Sequence, residues 1–300
     1  METPAELVRS PDFWFPDGTV VLQVQNTLYR IYRGLLASRS KVFEDTFSVP
    51  QPPEEDKIDG CPVVQLHDKA KDFTRFLKVL HNYGSYKSCP VSDFAELSSV
   101  LRLSDKYDVP VLRNGMIAIL SDLYPTSMDE WDKREVPSGY TAHHHDHIPI
   151  LNLALKLNIR PILPVVLYEI CCRLGLDTIV LGKGRLINDP EYRRRCILGH
   201  SHLQLAQRHA LRYLKREEGE GEECDDTATC DVERLRWISF DLGDDHLDPL
   251  VDANRTSWDA FGTCSTCHEA AKTTYQAGRQ KLWNNLPSIF NLGTWEELLA

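Results

Sequence analysis

The chain has 300 residues, of which 42% are hydrophobic and 26% charged, enough to bury one large core or two modest ones. Its formal net charge is −10 and its sequence pI about 5.6, so a phosphate backbone repels it and nucleic acid is not expected as a partner. The start, Met1-Glu2-Thr3-Pro4, has neither the basic residues nor the apolar stretch of a secretory signal, and no apolar run reaches membrane-spanning length. A cytoplasmic or nuclear location follows as an expectation. In such a reducing compartment the nine cysteines read as thiols or metal ligands, not disulfides.

In chain order, the turn signal Pro16-Asp17-Gly18 precedes an apolar run over 19–24. A second run over 27–32 follows Gln25-Asn26, and two β-rich runs joined this closely predict a hairpin. Leu35, Leu36, Val42, Phe43 and Phe47 then recur at helical spacing, with a break near Ser40. This predicts two short helices ended by Pro50-Gln51-Pro52-Pro53. After a polar loop over 54–57, Pro62 to Leu66 reads as a third strand. Three amphipathic helices are expected next, over 72–83, 93–107 and 111–123, the last opening beside Pro110.

The following segment repeats this recipe. Leu101, Leu103, Lys106, Val109 and Leu112 are matched by Leu151, Leu153, Lys156, Ile159 and Ile162. Each set reads as a helix, a tight break and a second apolar helix, so a second helical hairpin is expected. Beyond Gly175 the chain stays helical. A long helix starts at Asp189-Pro190 and runs to Arg216, and an acidic Gly/Glu loop occupies 217–223. A short amphipathic helix covers 231–240, another helix 267–286, and Trp295 lies in a last short one.

The N-terminal part resembles a BTB/POZ domain. The resemblance is carried by Asp17-Gly18, Val20 to Val24, Arg30-Ile31-Tyr32-Arg33 and Leu35-Leu36-Ala37-x-x-Ser40-x-x-Phe43-x-x-x-Phe47. Val63-Val64-x-Leu66 and the Leu-x-x-Lys-Tyr-Asp-Val-Pro-x-Leu run from Leu103 to Leu112 extend it to about a hundred positions. Tyr32 stands where that family usually has a packing histidine. End to end, the chain is also similar to a large group of proteins from mushroom-forming fungi. That likeness rests on Phe47-Ser48-Val49-Pro50-Gln51-Pro52, on Asp59-Gly60-Cys61-Pro62-Val63-Val64, and on a tail of Cys264-x-x-Cys267, Trp283-x-x-Leu286-Pro287-x-x-Phe290-x-Leu292 and Trp295.

The resemblance implies an α+β fold: a BTB/POZ-like domain over 1–124, with a small three-stranded sheet flanked by helices, and an all-helical region over 125–300 packed on it. It implies a protein-binding scaffold that pairs with itself through its N-terminal part. The aromatic run Phe13-Trp14-Phe15 is a candidate partner surface, or a segment docked on its own domain. A substrate adaptor of a cullin-type ubiquitin ligase is the alternative. It ranks lower because the stretch from Tyr83 to Phe94 has no Glu for the hydrophobic-x-Glu contact. An enzyme is the third possibility. No Gly-x-Ser-x-Gly, Walker loop or His-Glu-x-x-His occurs, so no catalytic residue is assigned.

Cys224-x5-Cys230 and Cys264-x2-Cys267 are the strongest chemical signal. Two such pairs suit a structural zinc ion, with His268 as a spare ligand. The competing reading makes them buried thiols packed as small hydrophobes. His143-His144-His145-Asp146-His147 seeks metal by composition, but consecutive loop residues rarely set several imidazoles around one ion, and a solvated binder is the expected reading. Cys171 and Cys172, on an apolar helix, read as core, and Arg193 to Arg195 as a solvated face.

Overall fold

A computed structural model describes residues 6–49, 57–82, 93–134, 147–182, 186–210, 224, 226–243, 247–251 and 262–300. The fold is mixed α/β, with thirteen helices and one five-stranded sheet among these residues. The chain divides into two compact units, Met1–Ile119 and Leu120–Ala300.

The first unit holds the sheet, built from β1 (Val8–Trp14), β2 (Val20–Val24), β3 (Thr27–Ile31), β4 (Lys57–Ile58) and β5 (Cys61–Leu66), in the order β1-β3-β2-β5-β4. The expected hairpin is β2–β3, antiparallel with Leu22 opposite Tyr29, and Gln25 takes a left-handed φ of 55° at its turn. β5 joins β2 in parallel. The expectation of three strands is corrected to five. β4 has only two residues, too few for any alternation to register. β1 contains Pro11 and Asp12, which oppose a strand assignment, yet it pairs in parallel with β3 at the sheet edge, where a missing N–H is tolerated. Its pairing is irregular between Arg9 and Trp14.

Helices α1 (Arg33–Ala37) and α2 (Lys41–Ser48) break at Ser40 as anticipated. α3 (Ala70–Asn82), α4 (Phe94–Lys106) and α5 (Pro110–Leu123) complete the series, and α4 is capped by the Asp93 side chain accepting from the Glu96 amide. Phe43, Phe73 and Phe76 are buried around Tyr107, whose ring stacks on Phe43 at 4.5 Å. Ser40 ties this core together. Its Oγ accepts from the Phe43 amide at 3.1 Å, capping α2, and donates to the Tyr107 carbonyl. Because Ser40 is buried, Ser40→Ala removes a cap and strands a carbonyl. We expect a loss of about 1–3 kcal/mol, read as a shifted urea midpoint with an unchanged slope.

The second unit is helical: α6 (Met128–Lys133), α7 (His147–Lys156), α8 (Leu163–Arg173), α9 (Leu176–Leu181), α10 (Pro190–Ala210), α11 (Thr227–Gly243), α12 (Ser265–Ile289) and α13 (Trp295–Leu299). The internal repeat reaches atomic detail. After α4, Asp108 adopts φ 48°, with Val109 N–H bonded to Ser104 O at 2.8 Å and Asp108 N–H to Asp105 O. After α7, Asn158 adopts φ 53°, with Ile159 N–H bonded to Ala154 O at 2.8 Å and Asn158 N–H to Leu155 O. Both are the same helix-ending motif, made with Asp and Asn where glycine is usual.

α8 is the hub of this unit, packed by α7, α10 and α12. Every residue from Leu163 to Cys172 is buried, which explains a sequence apolar on all faces. α10 approaches closely enough that a β-carbon at Gly199 would fall 2.2 Å from the Phe290 ring, so glycine is required there. Trp131 lies against Tyr168 and Trp283, and Trp283 stacks on Trp295.

Candidate metal centre

The Cys224, Cys230, Cys264 and Cys267 thiols converge, and their sulfurs all lie within 4.8 Å of one another. Two local devices place them. The Asp226 side chain accepts from the Thr229 amide at 3.0 Å and its carbonyl from the Cys230 amide at 3.1 Å, which starts α11 between Cys224 and Cys230. Cys264 is the N-cap residue of α12, and Cys267 falls in that helix's first turn. Both pairs therefore surround helix N-termini, where exposed amides and the helix dipole favour negative sulfur.

The Cys224 sulfur lies 3.7 Å from that of Cys264 and 3.5 Å from that of Cys267. Zinc–sulfur bonds of about 2.3 Å in a tetrahedron set sulfurs about 3.8 Å apart, so these separations suit one shared ion. They are far too long for a disulfide bond of about 2.05 Å, and none of the four is disulfide-bonded. Cys230 and Cys267 are buried, while Cys224 and Cys264 are half-buried. The Cys264 amide donates to the Cys230 sulfur at 3.2 Å, a bond that holds the second pair against the first.

Three of the thiols are shifted, in different directions. The Cys267 amide donates to the Cys264 sulfur, and with bonds from the neighbouring thiols this outweighs burial and pulls Cys264 down to about 7. Burial pushes Cys267 up to about 12, helped by its bonds to Cys224 and Cys264 and opposed by the charge of Arg234. Burial also raises Cys230, although the Cys264 amide works against it. A divalent cation held by all four sulfurs would expel the protons these thiols carry. Arg234, one helical turn beyond Cys230 and buried, offsets part of the negative charge four thiolates would bring.

Four sulfurs around one ion leave no open position for water, so this arrangement can organise structure but not activate a nucleophile. Among the described residues no other group of three or more His, Cys, Asp or Glu side chains converges in this way. His268, the spare ligand of the sequence reading, is not in the group. Residues 143–146 of the histidine run lie outside the described residues, and His147 instead contacts the Tyr124 hydroxyl at 2.9 Å.

The other candidates separate clearly. Phe13 is buried against Tyr29 and His81, Phe15 stacks on Tyr32, and Trp14 lies under the Arg9 guanidinium. The run is thus docked on its own unit. Cys171 and Cys172 are core residues. Arg194 and Arg195 pair with Glu191.

Two buried ion-pair sites were not anticipated from the sequence. Glu169 sits buried in the middle of α8, bonded to Arg134 at 2.6 Å and Arg173 at 3.1 Å. Arg279, also buried, bonds Asp132 at 2.6 Å. The signal for the first was present as a single acid inside an apolar helix. No helix among the described residues is long and apolar enough to cross a membrane. Comparison with known proteins finds no family model that matches the chain and no curated protein that resembles it.

Proposed function

We propose that this chain is a non-enzymatic, protein-binding scaffold: a BTB/POZ-like N-terminal unit that self-associates, and a helical unit organised by a structural zinc ion on Cys224, Cys230, Cys264 and Cys267. The observation that carries the zinc reading is the convergence of four sulfurs from two helix starts within 4.8 Å. Thiols packed merely as small hydrophobes have no need of a shared centre ringed by amides. A purified chain should hold one zinc per polypeptide by elemental mass spectrometry, and Cys264→Ser should hold markedly less.

The binding role draws support from element order. A hairpin, two short helices joined at a capping serine, a further strand and three helices follow one another as the BTB/POZ resemblance implies. Free thiols and the zinc reading fit a reducing compartment, the cytosol or nucleus. For self-association, sedimentation equilibrium at micromolar concentration should give twice the chain mass. Since Phe13 is already buried in its own unit, the exposed flank of the edge strand, Leu7 and Val8, is the better place to disrupt pairing. A monomer at all accessible concentrations would contradict self-association.

A further inference from the structure

Between the two cysteine pairs the chain makes an excursion of 34 residues from Cys230 to Cys264. Within it, residues 247–251 belong to no helix or strand, yet they are held in the interior of the unit. Leu247 and Leu250 are 8% and 1% exposed. The Tyr168 hydroxyl donates to Asp248 at 2.5 Å and accepts from the Leu250 amide at 3.0 Å. Arg279 donates to the Leu250 carbonyl at 3.0 Å, and the Tyr275 hydroxyl to that of Val251 at 2.8 Å. Each of these contacts reaches α8 or α12.

We propose that residues 247–251 are a latch whose seating is governed by the metal centre, so that metal loss releases them from α8 and α12. This rests on the zinc reading above. The physical link is loop closure. The excursion starts on α11 and ends on α12, and the cysteine cluster is where the starts of these two helices meet. With the ion bound, the excursion is a closed loop and its middle is held near its seat. With the ion gone, the ends part, and the five residues must be ordered at the full entropy of an open chain. The seat also depends on the latch: Asp248 is one of two acids facing Arg173, and Tyr168 finds both its hydrogen-bond partners there. An open latch leaves a phenol, a guanidinium and an apolar slot between α8 and α12 without their occupant, which makes metal occupancy the control on that surface.

Hydrogen exchange by mass spectrometry on the full chain, zinc-loaded and after chelation, tests this alongside elemental zinc content. Chelation should speed exchange at the Leu250 and Val251 amides by about 100-fold, while α4 keeps its protection. Because coupling is reciprocal, Tyr168→Phe and Asp248→Asn should each weaken zinc binding, by up to the same factor, in competition with a chromophoric chelator. If either variant fails to fold, the other serves. Zinc that leaves with no change at Leu250 and Val251 overturns the latch and spares the metal centre. A chain that holds no zinc and takes none up overturns the centre, and the latch with it.

Discussion

Stripping the metal should destabilise the region from residue 224 onward, lowering its urea midpoint, while the sheet of the first unit stays protected. The four ligands lie at the starts of α11 and α12, which their cluster brings together. A site formed only in the folded chain turns binding energy into folding energy. With free zinc at about a thousand times its Kd, the contribution is about 4 kcal/mol, a large share of the stability of any domain. Cys267→Ser should reproduce the effect without a chelator, since it deletes a buried ligand in the first turn of α12. Urea unfolding followed by tryptophan emission reads the change through Trp283 and Trp295, which lie on α12 and α13. Equal midpoints with and without zinc would contradict it.

Removing the Glu169 carboxylate should be the most damaging single change away from the cysteines. Glu169 is buried and holds two guanidiniums, one of which, Arg134, lies 3.2 Å from the centre of the Trp131 ring. Glu169→Ala leaves Arg134 inside the unit without this counter-charge and Arg173 with Asp248 as its remaining acid, at a cost of about 3–5 kcal/mol. Glu169→Leu restores apolar volume but not the counter-charge to Arg134, so it should not rescue. Burial raises the Glu169 carboxyl, but the charges of Arg134, His147 and Arg173 outweigh it, and the group ionises below its ordinary 4.5. A carboxyl depressed on folding stabilises the protein above its unfolded pKa, and the gain fades as pH falls through the lower, folded value. The gap in stability between the native chain and Glu169→Gln should therefore be widest at neutral pH and narrow below about pH 4.5.

How far the sequence foretold these features depends on how local their cause is. The hairpin, the break at Ser40, the helix over 93–107 and the paired helix–break–helix patterns at Leu101–Leu112 and Leu151–Ile162 follow from short-range pattern and were legible, while the left-handed residues Asp108 and Asn158 that make the breaks were not singled out. β1 was not, because Pro11 and Asp12 argue against a strand and only pairing with β3 makes one. The cysteine quartet was legible as two pairs. That they meet depends on an excursion of 34 residues whose path no spacing rule specifies. Glu169 was visible as an oddity in α8, but its partners come from α6's end and α8's own next turn. Residues 247–251 carried no signal at all, since their order derives from tertiary contacts to Tyr168, Tyr275 and Arg279.

X-ray absorption at the zinc edge on the purified chain reads the ligands of the four-cysteine centre directly. A closed four-sulfur centre gives one zinc per chain with a single shell of four sulfurs at about 2.3 Å. A shell containing nitrogen or oxygen at about 2.0–2.1 Å, or zinc present only in traces, would contradict it.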